Sequence, residues 1–347
     1  MNSELFELHI GDCVESMKQM DDQSVNCCVT SPPYFGLRDY GVDGQIGLEN
    51  TPDAYVARLV EVFREVRRVL RDDGTLWLNM GDSYARTGGT DRKVSASAQV
   101  GSTRNTLDQM GDRTSNASAI GLKAKDLIGV PWMLAFALRA DGWYLRQDIV
   151  WRKPNPMPES VNDRCTKAHE YVFLLSKKPK YYFDSEAIKE DAVGGQTGKA
   201  ASFKRGCSKR EQAIPNQAHG THRPERDDVA YNGQKRNRRS VWTVATKPYK
   251  GAHFATFPPD LIEPCILAGC PPGGIVLDPF GGSGTTAGVA IAHDRKAVMC
   301  ELSAEYAELV PDRVASIMAS YGKAPAKPTQ LRITSTTQVA LFDGVNP

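Results

Sequence analysis

Ile275-Val276-Leu277-Asp278-Pro279-Phe280-Gly281-Gly282-Ser283-Gly284-Thr285-Thr286 carries the clearest fold signal in the sequence. A β-rich run ends in an acid, turns through glycines and enters a helix-forming segment directly. Glycines in such a turn let a ligand approach backbone that a Cβ would shield. The helix start that follows offers N–H donors and the positive end of a dipole. A second β-rich run, Ala297–Cys300, delivers Glu301, 23 residues beyond Asp278. An acid about 20 residues past a glycine turn is placed to bind ribose hydroxyls. The glycine spacing differs from the GxGxxG of nicotinamide sites, which argues against an oxidoreductase.

Outward from this turn, short β-rich runs alternate with helical ones, which predicts an α/β fold with a largely parallel sheet. Phe6–Ile10 reads as a strand closed by Gly11-Asp12, and Val25–Thr30 as a buried strand stopped by Pro32-Pro33. A helix is expected over Pro52–Arg71, with Thr51 as N-cap, Pro52 at the first position and Gly74 past the end. Its Tyr55, Leu59, Val62, Phe63, Val66, Val69 and Leu70 fall at helical spacing. Thr75–Met80, Gln147–Trp151 and Tyr171–Leu175 read as strands, and Asp126–Ala140 and Ala304–Ala319 as helices. Arg86–Lys125 loses periodicity and reads as a long loop or mobile insert. Residues 1–190 and 241–320 are expected to build one domain from both chain ends, with inserts at 86–125 and 191–240 and a tail at 321–347.

The 347 residues are 41% hydrophobic and 24% charged, as in ordinary globular proteins. No apolar run approaches the roughly 18–20 residues that span a bilayer, and no secretory leader precedes Phe6. The expectation is a cytoplasmic protein without membrane association. Its eight cysteines form no CxxC pair and read as free thiols, so no metal is expected. Net charge is only +2, but Lys199–Arg239 carries eleven basic and four acidic residues, a net +7. A basic insert on a neutral body suits a phosphate-binding surface, although a solvated loop has the same composition. Lys204, Arg205, Lys209, Arg210, Arg236, Arg238 and Arg239 are the candidate nucleic-acid contacts.

The second informative stretch is Val29-Thr30-Ser31-Pro32-Pro33-Tyr34, at the end of a strand. An exocyclic amine on a nucleobase is a poor nucleophile because its lone pair is delocalised into the ring. Hydrogen-bond acceptors around that amine push the nitrogen towards sp³ and localise the lone pair. A short polar side chain plus a carbonyl held rigid by two prolines supplies such a cradle, and the prolines remove competing N–H donors. Tyr34 offers an aromatic face to a base drawn from the helix.

Ser31–Tyr34 matches the [DNS]PP[YFW] signature of amino-methyltransferases, and DPFGGSGTT resembles their S-adenosylmethionine loop. Together they resemble a β-class DNA amino-methyltransferase, in which the catalytic motif precedes the cofactor motif. The resemblance covers most of Leu8–Leu309. It implies a doubly wound, mainly parallel seven-stranded sheet and S-adenosylmethionine as cofactor. It implies catalytic roles for Ser31, Pro32, Pro33 and Tyr34. Cofactor contacts carried over are Asp12 at the adenine, Phe257 and Pro258 (within His253–Pro258) at the methionine end, and Asp278, Phe280, Gly282, Ser283, Gly284, Thr285 and Glu301 around the turn. Leu76–Tyr84, Asp148–Lys153 and His169-Glu170 match segments around the family's base pocket. For Asp82 and Trp151 a site role and a packing role stay open, and His169 reads as structural.

The implied function is sequence-specific methyl transfer to adenine N6 or cytosine N4 in double-stranded DNA, by base flipping. The inserts would read sequence, 191–240 above all, and family members are commonly dimeric. Family custom pairs the serine form with cytosine, but members with serine are not all cytosine enzymes, so both bases stay open. Two rival readings remain. A same-fold enzyme acting on RNA or protein glutamine usually carries the cofactor loop before the PPY motif. A catalytically silent DNA-binding regulator would have no reason to keep both motifs intact.

Overall fold

The structure, a computed structural model, describes residues 5–85, 121–192, 235–247, 257–324 and 331–335. The elements, in chain order, are β1 (Phe6–Ile10), α1 (Cys13–Lys18), β2 (Val25–Thr30), α2 (Pro52–Val69), β3 (Leu70–Met80) and α3 (Val130–Ala140). Then come β4 (Tyr144–Arg152), β5 (His169–Ser176), β6 (Glu190–Asp191), β7 (Lys235–Arg236), β8 (Val241–Thr243) and α4 (Pro259–Gly269). The chain closes through β9 (Ile275–Asp278), α5 (Thr285–Ala292), β10 (Lys296–Glu301), α6 (Ala304–Ser320) and β11 (Leu331–Ser335).

One sheet runs in the order β11-β1-β10-β9-β2-β3-β5-β4-β8, and β6 pairs separately with β7. Every neighbouring pair in that sheet is parallel except those made by β5, which runs against β3 and β4. The seven expected strands are extended at the two edges by β8 and β11. Alternate strand residues face opposite sides. Cys28, Leu76, Leu78 and Leu277 pack with α1, α2 and α3, while Cys27, Val29, Trp77 and Val276 pack with α4, α5 and α6. Helices thus cover both faces, which makes the sheet doubly wound.

Local rules explain most boundaries. Thr51 accepts from the Ala54 N–H (3.1 Å) and Pro52 opens α2. That helix stops at Val69 rather than Arg71 because Leu70 turns extended and pairs with Val25. The expected helix from Asp126 begins only at Val130, behind Gly129 at φ 83°. Among the described residues no helix is long and apolar enough to cross a membrane, and seven cysteines are free thiols.

Candidate active site

The parallel strands β1, β2, β3, β9 and β10 end along one edge of the sheet, the place where open α/β sheets bind ligands. Strands β2 and β9 pair there, Cys28 opposite Leu277, so Ser31 and Asp278 come together across the chain. A side-chain link closes the junction. Thr30 Oγ1–H donates to Asp278 Oδ1 at 2.6 Å, and Thr286 Oγ1–H donates to Asp278 Oδ2 at 2.6 Å. The Phe280 N–H adds a third bond to Oδ1, at 3.1 Å. Burial pushes the Asp278 carboxyl up to about 6, against the pull of Thr286, Thr30 and the Phe280 amide. Its oxygens are spent inside the protein, holding the turn to the end of β2.

The glycine turn itself is shaped for a close-lying ligand. Gly282 has φ 52°, and no atom lies within 4 Å of where its Cβ would stand. Its N–H donates to Glu301 Oε2 at 2.8 Å, while the Ser303 N–H donates to Oε1 at 2.8 Å. Burial raises the Glu301 carboxyl above its ordinary value. Each carboxylate oxygen carries a second lone pair, so ribose hydroxyls can still be accepted. Ser283 Oγ and Thr285 Oγ1 are buried with no hydrogen-bond partner among the described residues. Gly284 is the N-cap of α5, and Phe280 packs half-buried at the turn. These groups fit a polar cofactor lying across the turn. Tyr40 and Tyr306 meet edge to face beside Glu301, with ring centroids 6.3 Å apart.

Asp12 stands at the same edge as the N-cap of α1. Its Oδ1 accepts from the Val14 and Glu15 amides at 2.8 and 3.1 Å, and Oδ2 lies 3.5 Å from Arg58. Phe257 packs half-buried against the α4–α6 face, and Pro258 is the N-cap of α4. His253 to Thr256 lie outside the described residues.

On the β2 side, Pro32 is buried, while Ser31, Pro33 and Tyr34 are half-buried. Tyr55 O–H donates to the Pro33 carbonyl at 2.6 Å. No backbone N–H among the described residues donates to the Pro32 carbonyl. Tyr34 O–H donates to Glu170 Oε2 at 2.7 Å. Asn79, at the end of β3, points Nδ2 at Ser31 Oγ (3.2 Å), Tyr34 Oη (2.9 Å) and Glu170 Oε2 (3.2 Å). Burial, then the Glu170 charge, pushes the Tyr34 phenol well above its ordinary value, so it stays an O–H donor. Lys153 pairs with Glu170 Oε1.

Sequence reasoning assigned Asn79, Tyr55, Lys153 and Glu170 no individual roles. A polar Asn inside the apolar run LWLNM was the available signal for Asn79. Asp82 caps α3, accepting from the Gly129 and Val130 amides at 3.0 and 3.3 Å. Trp151 is a core residue whose indole N–H donates to the Val244 carbonyl at 2.8 Å. His169 stacks edge to face on Tyr171. Of the basic candidates, Arg236 and Arg239 pair with Glu190, and Arg238 lies over Trp242. Lys204, Arg205, Lys209 and Arg210 lie outside the described residues, as does nearly all of 86–125.

A family model described as DNA methylase, of the N6/N4 methyltransferases, matches residues 25–312. The chain belongs to this family. This methylase is 48% identical over 305 residues to the type II methyltransferase M.SmaI of Serratia marcescens, covering 88% of this chain and 89% of that one. It is 47% identical over 310 residues to M.Cfr9I of Citrobacter freundii, covering 89% and 87%. Among solved structures, the cytosine-N4-specific PvuII DNA methyltransferase shares the fold at TM-score 0.57, with 18% identity over 95% of both chains. A Thermus thermophilus protein solved with S-adenosyl-L-methionine matches at TM-score 0.54, with 21% identity over 94% of this chain and 99% of that one. The methylase is therefore a sequence-specific DNA amino-methyltransferase of α/β fold, and S-adenosylmethionine is its cofactor.

Proposed function

We propose that this methylase transfers the methyl group to cytosine N4 in duplex DNA, on a base swung out of the helix; adenine N6 is the second reading. The observation that carries the mechanism is the Thr30–Asp278 bond, which joins the Ser31–Tyr34 loop to the glycine turn. S-adenosylmethionine, when bound, supplies an electrophilic methyl group. Ser31 Oγ and the Pro32 carbonyl accept N–H bonds from the target amine and localise its lone pair. Pro32 and Pro33 keep backbone donors out of that wall. Tyr34 stacks on the base, with its hydroxyl tied back to Glu170 and Asn79.

On the cofactor side, Gly282, Ser283, Gly284 and Thr285 line the turn, Phe280 packs beside it and Glu301 takes the ribose. Asp12 serves the adenine, and Phe257 and Pro258 serve the methionine end. Asp278 acts by holding the turn in place. The 191–240 segment supplies phosphate and base contacts through its Lys and Arg side chains. Ser31 in place of an acid supports cytosine through family custom, and the near-equivalence of the two amines keeps adenine in view.

The test is incubation of the purified protein with unmodified duplex DNA and methyl-labelled cofactor, followed by nucleoside mass spectrometry. N4-methylcytosine supports the proposal in full. N6-methyladenine corrects the base and keeps the chemistry. Labelled RNA or protein with unlabelled DNA overturns it.

A further inference from the structure

A glutamate that the mechanism above leaves without a part of its own sits directly behind the base-handling loop. Strand β5 is the reversed strand of the main sheet, so its beginning, not its end, lies at the catalytic edge. Glu170 is the second residue of that strand. Lys153 follows β4, whose end reaches the same edge, and its Nζ lies 4.4 Å from the Trp151 ring centroid. The Glu170 and Lys153 side chains are only 15% and 19% exposed. Glu170 gives one oxygen to Lys153 and the other to Tyr34 O–H and Asn79 Nδ2. Asn79 in turn reaches Ser31 Oγ. A single clamped carboxylate therefore touches the base-stacking ring directly and the amine-accepting hydroxyl through one amide.

We propose that Glu170, fixed by Lys153, is a positioning residue for methyl transfer, setting the Tyr34 ring and the Ser31 hydroxyl before the base arrives. The inference rests on the reading that Ser31 and Tyr34 handle the base. Lys153 neutralises the carboxylate at contact distance, so the pair adds geometry rather than net charge to the pocket. Tyr34 has one hydroxyl hydrogen, and Glu170 receives it, which fixes the hydroxyl end of the ring. Asn79 carries two amide hydrogens among three nearby acceptors. Removing Glu170 takes away the acceptor shared by the Tyr34 O–H and Asn79 Nδ2, so both are left to Ser31 Oγ, where Asn79 already donates, and compete more strongly with the incoming amine. A displacement of about 1 Å at a reacting centre can cost about 100-fold in rate.

Steady-state kinetics on a DNA substrate methylated by the wild type provide the test, with cofactor affinity and thermal unfolding measured in parallel. Glu170→Ala should lower kcat by about 30- to 100-fold while KM for DNA and Kd for cofactor stay within about threefold. Glu170→Gln retains an oxygen for Tyr34 and Asn79 and should recover most of that loss. Lys153→Met, which keeps a stem over Trp151, should show a smaller loss of kcat in the same direction. The double variant K153M/E170A should be no slower than E170A alone, because Lys153 acts through Glu170.

The proposal is overturned if E170A keeps kcat within threefold of wild type, if cofactor affinity falls along with turnover, or if the two losses multiply. Should E170A fail to fold, unchanged kcat in K153M would overturn it equally. A wild type that methylates no DNA would sink the underlying reading and this inference with it, whereas an active wild type with an unaffected E170A would sink the inference alone.

Discussion

Asp278 balances burial, which lifts its carboxyl to about 6, against three hydrogen bonds that favour its ionised form. Its folded pKa lies above the unfolded value of 3.8, so the folded state holds the proton more tightly. The stability this contributes is present at low pH and lost as pH rises through about 6. Relative to Asp278→Asn, the wild type should lose about 1 kcal/mol between pH 5 and 7, read from denaturant unfolding at several pH values. A constant difference across that range would mean that the carboxyl titrates normally. Gly81 makes a steric prediction. A Cβ there would stand 2.6 Å from Tyr34 Cε2 and 3.3 Å from Glu170 Cδ. Gly81→Ala should push the Tyr34 ring aside and cut turnover at least about tenfold, with cofactor affinity held; undiminished turnover would show that the ring position does not matter. The role proposed for Ser31–Tyr34 was legible because it rests on four adjacent residues. Asn79, Glu170 and Lys153 were not, because their meaning arises from three separate strand ends meeting.

The longer helices follow from local rules, and α2 gives the cleanest check. Thr51→Ala removes the acceptor for the Ala54 N–H and should cost about 1 kcal/mol of stability with kcat unchanged. An effect on kcat would tie the N-terminus of α2 to catalysis. The same rules made Thr51, Pro52 and the apolar spacing readable in sequence. The first residues of β3 were not readable, because Asp72-Asp73-Gly74 looks like a turn, and only pairing with Val25 makes Leu70 a strand residue. Helix α1 has six residues, too few to show a period. Helix α4 contains Pro264, which masks its pattern. Strand β11 lies in a segment with weak local signals and exists by pairing with β1, where Thr334 Oγ1 meets His9 Nδ1 at 2.8 Å.

Across the whole molecule, function depends on strand order. Alternating patterns give the α/β class and two covered faces, but they do not say that β2 lies beside β9. That adjacency appears only in the sheet, through two register pairs and the Thr30–Asp278 bond. The division of labour proposed on this frame puts the base on the β2 loop and the cofactor on the β9 turn. Its most direct test is one preparation of Tyr34→Ala assayed side by side for cofactor affinity and for methyl transfer to DNA. Transfer should fall at least about 100-fold, with cofactor affinity within about twofold of wild type. Transfer near the wild-type rate, or cofactor binding lost while the fold is retained, would contradict it.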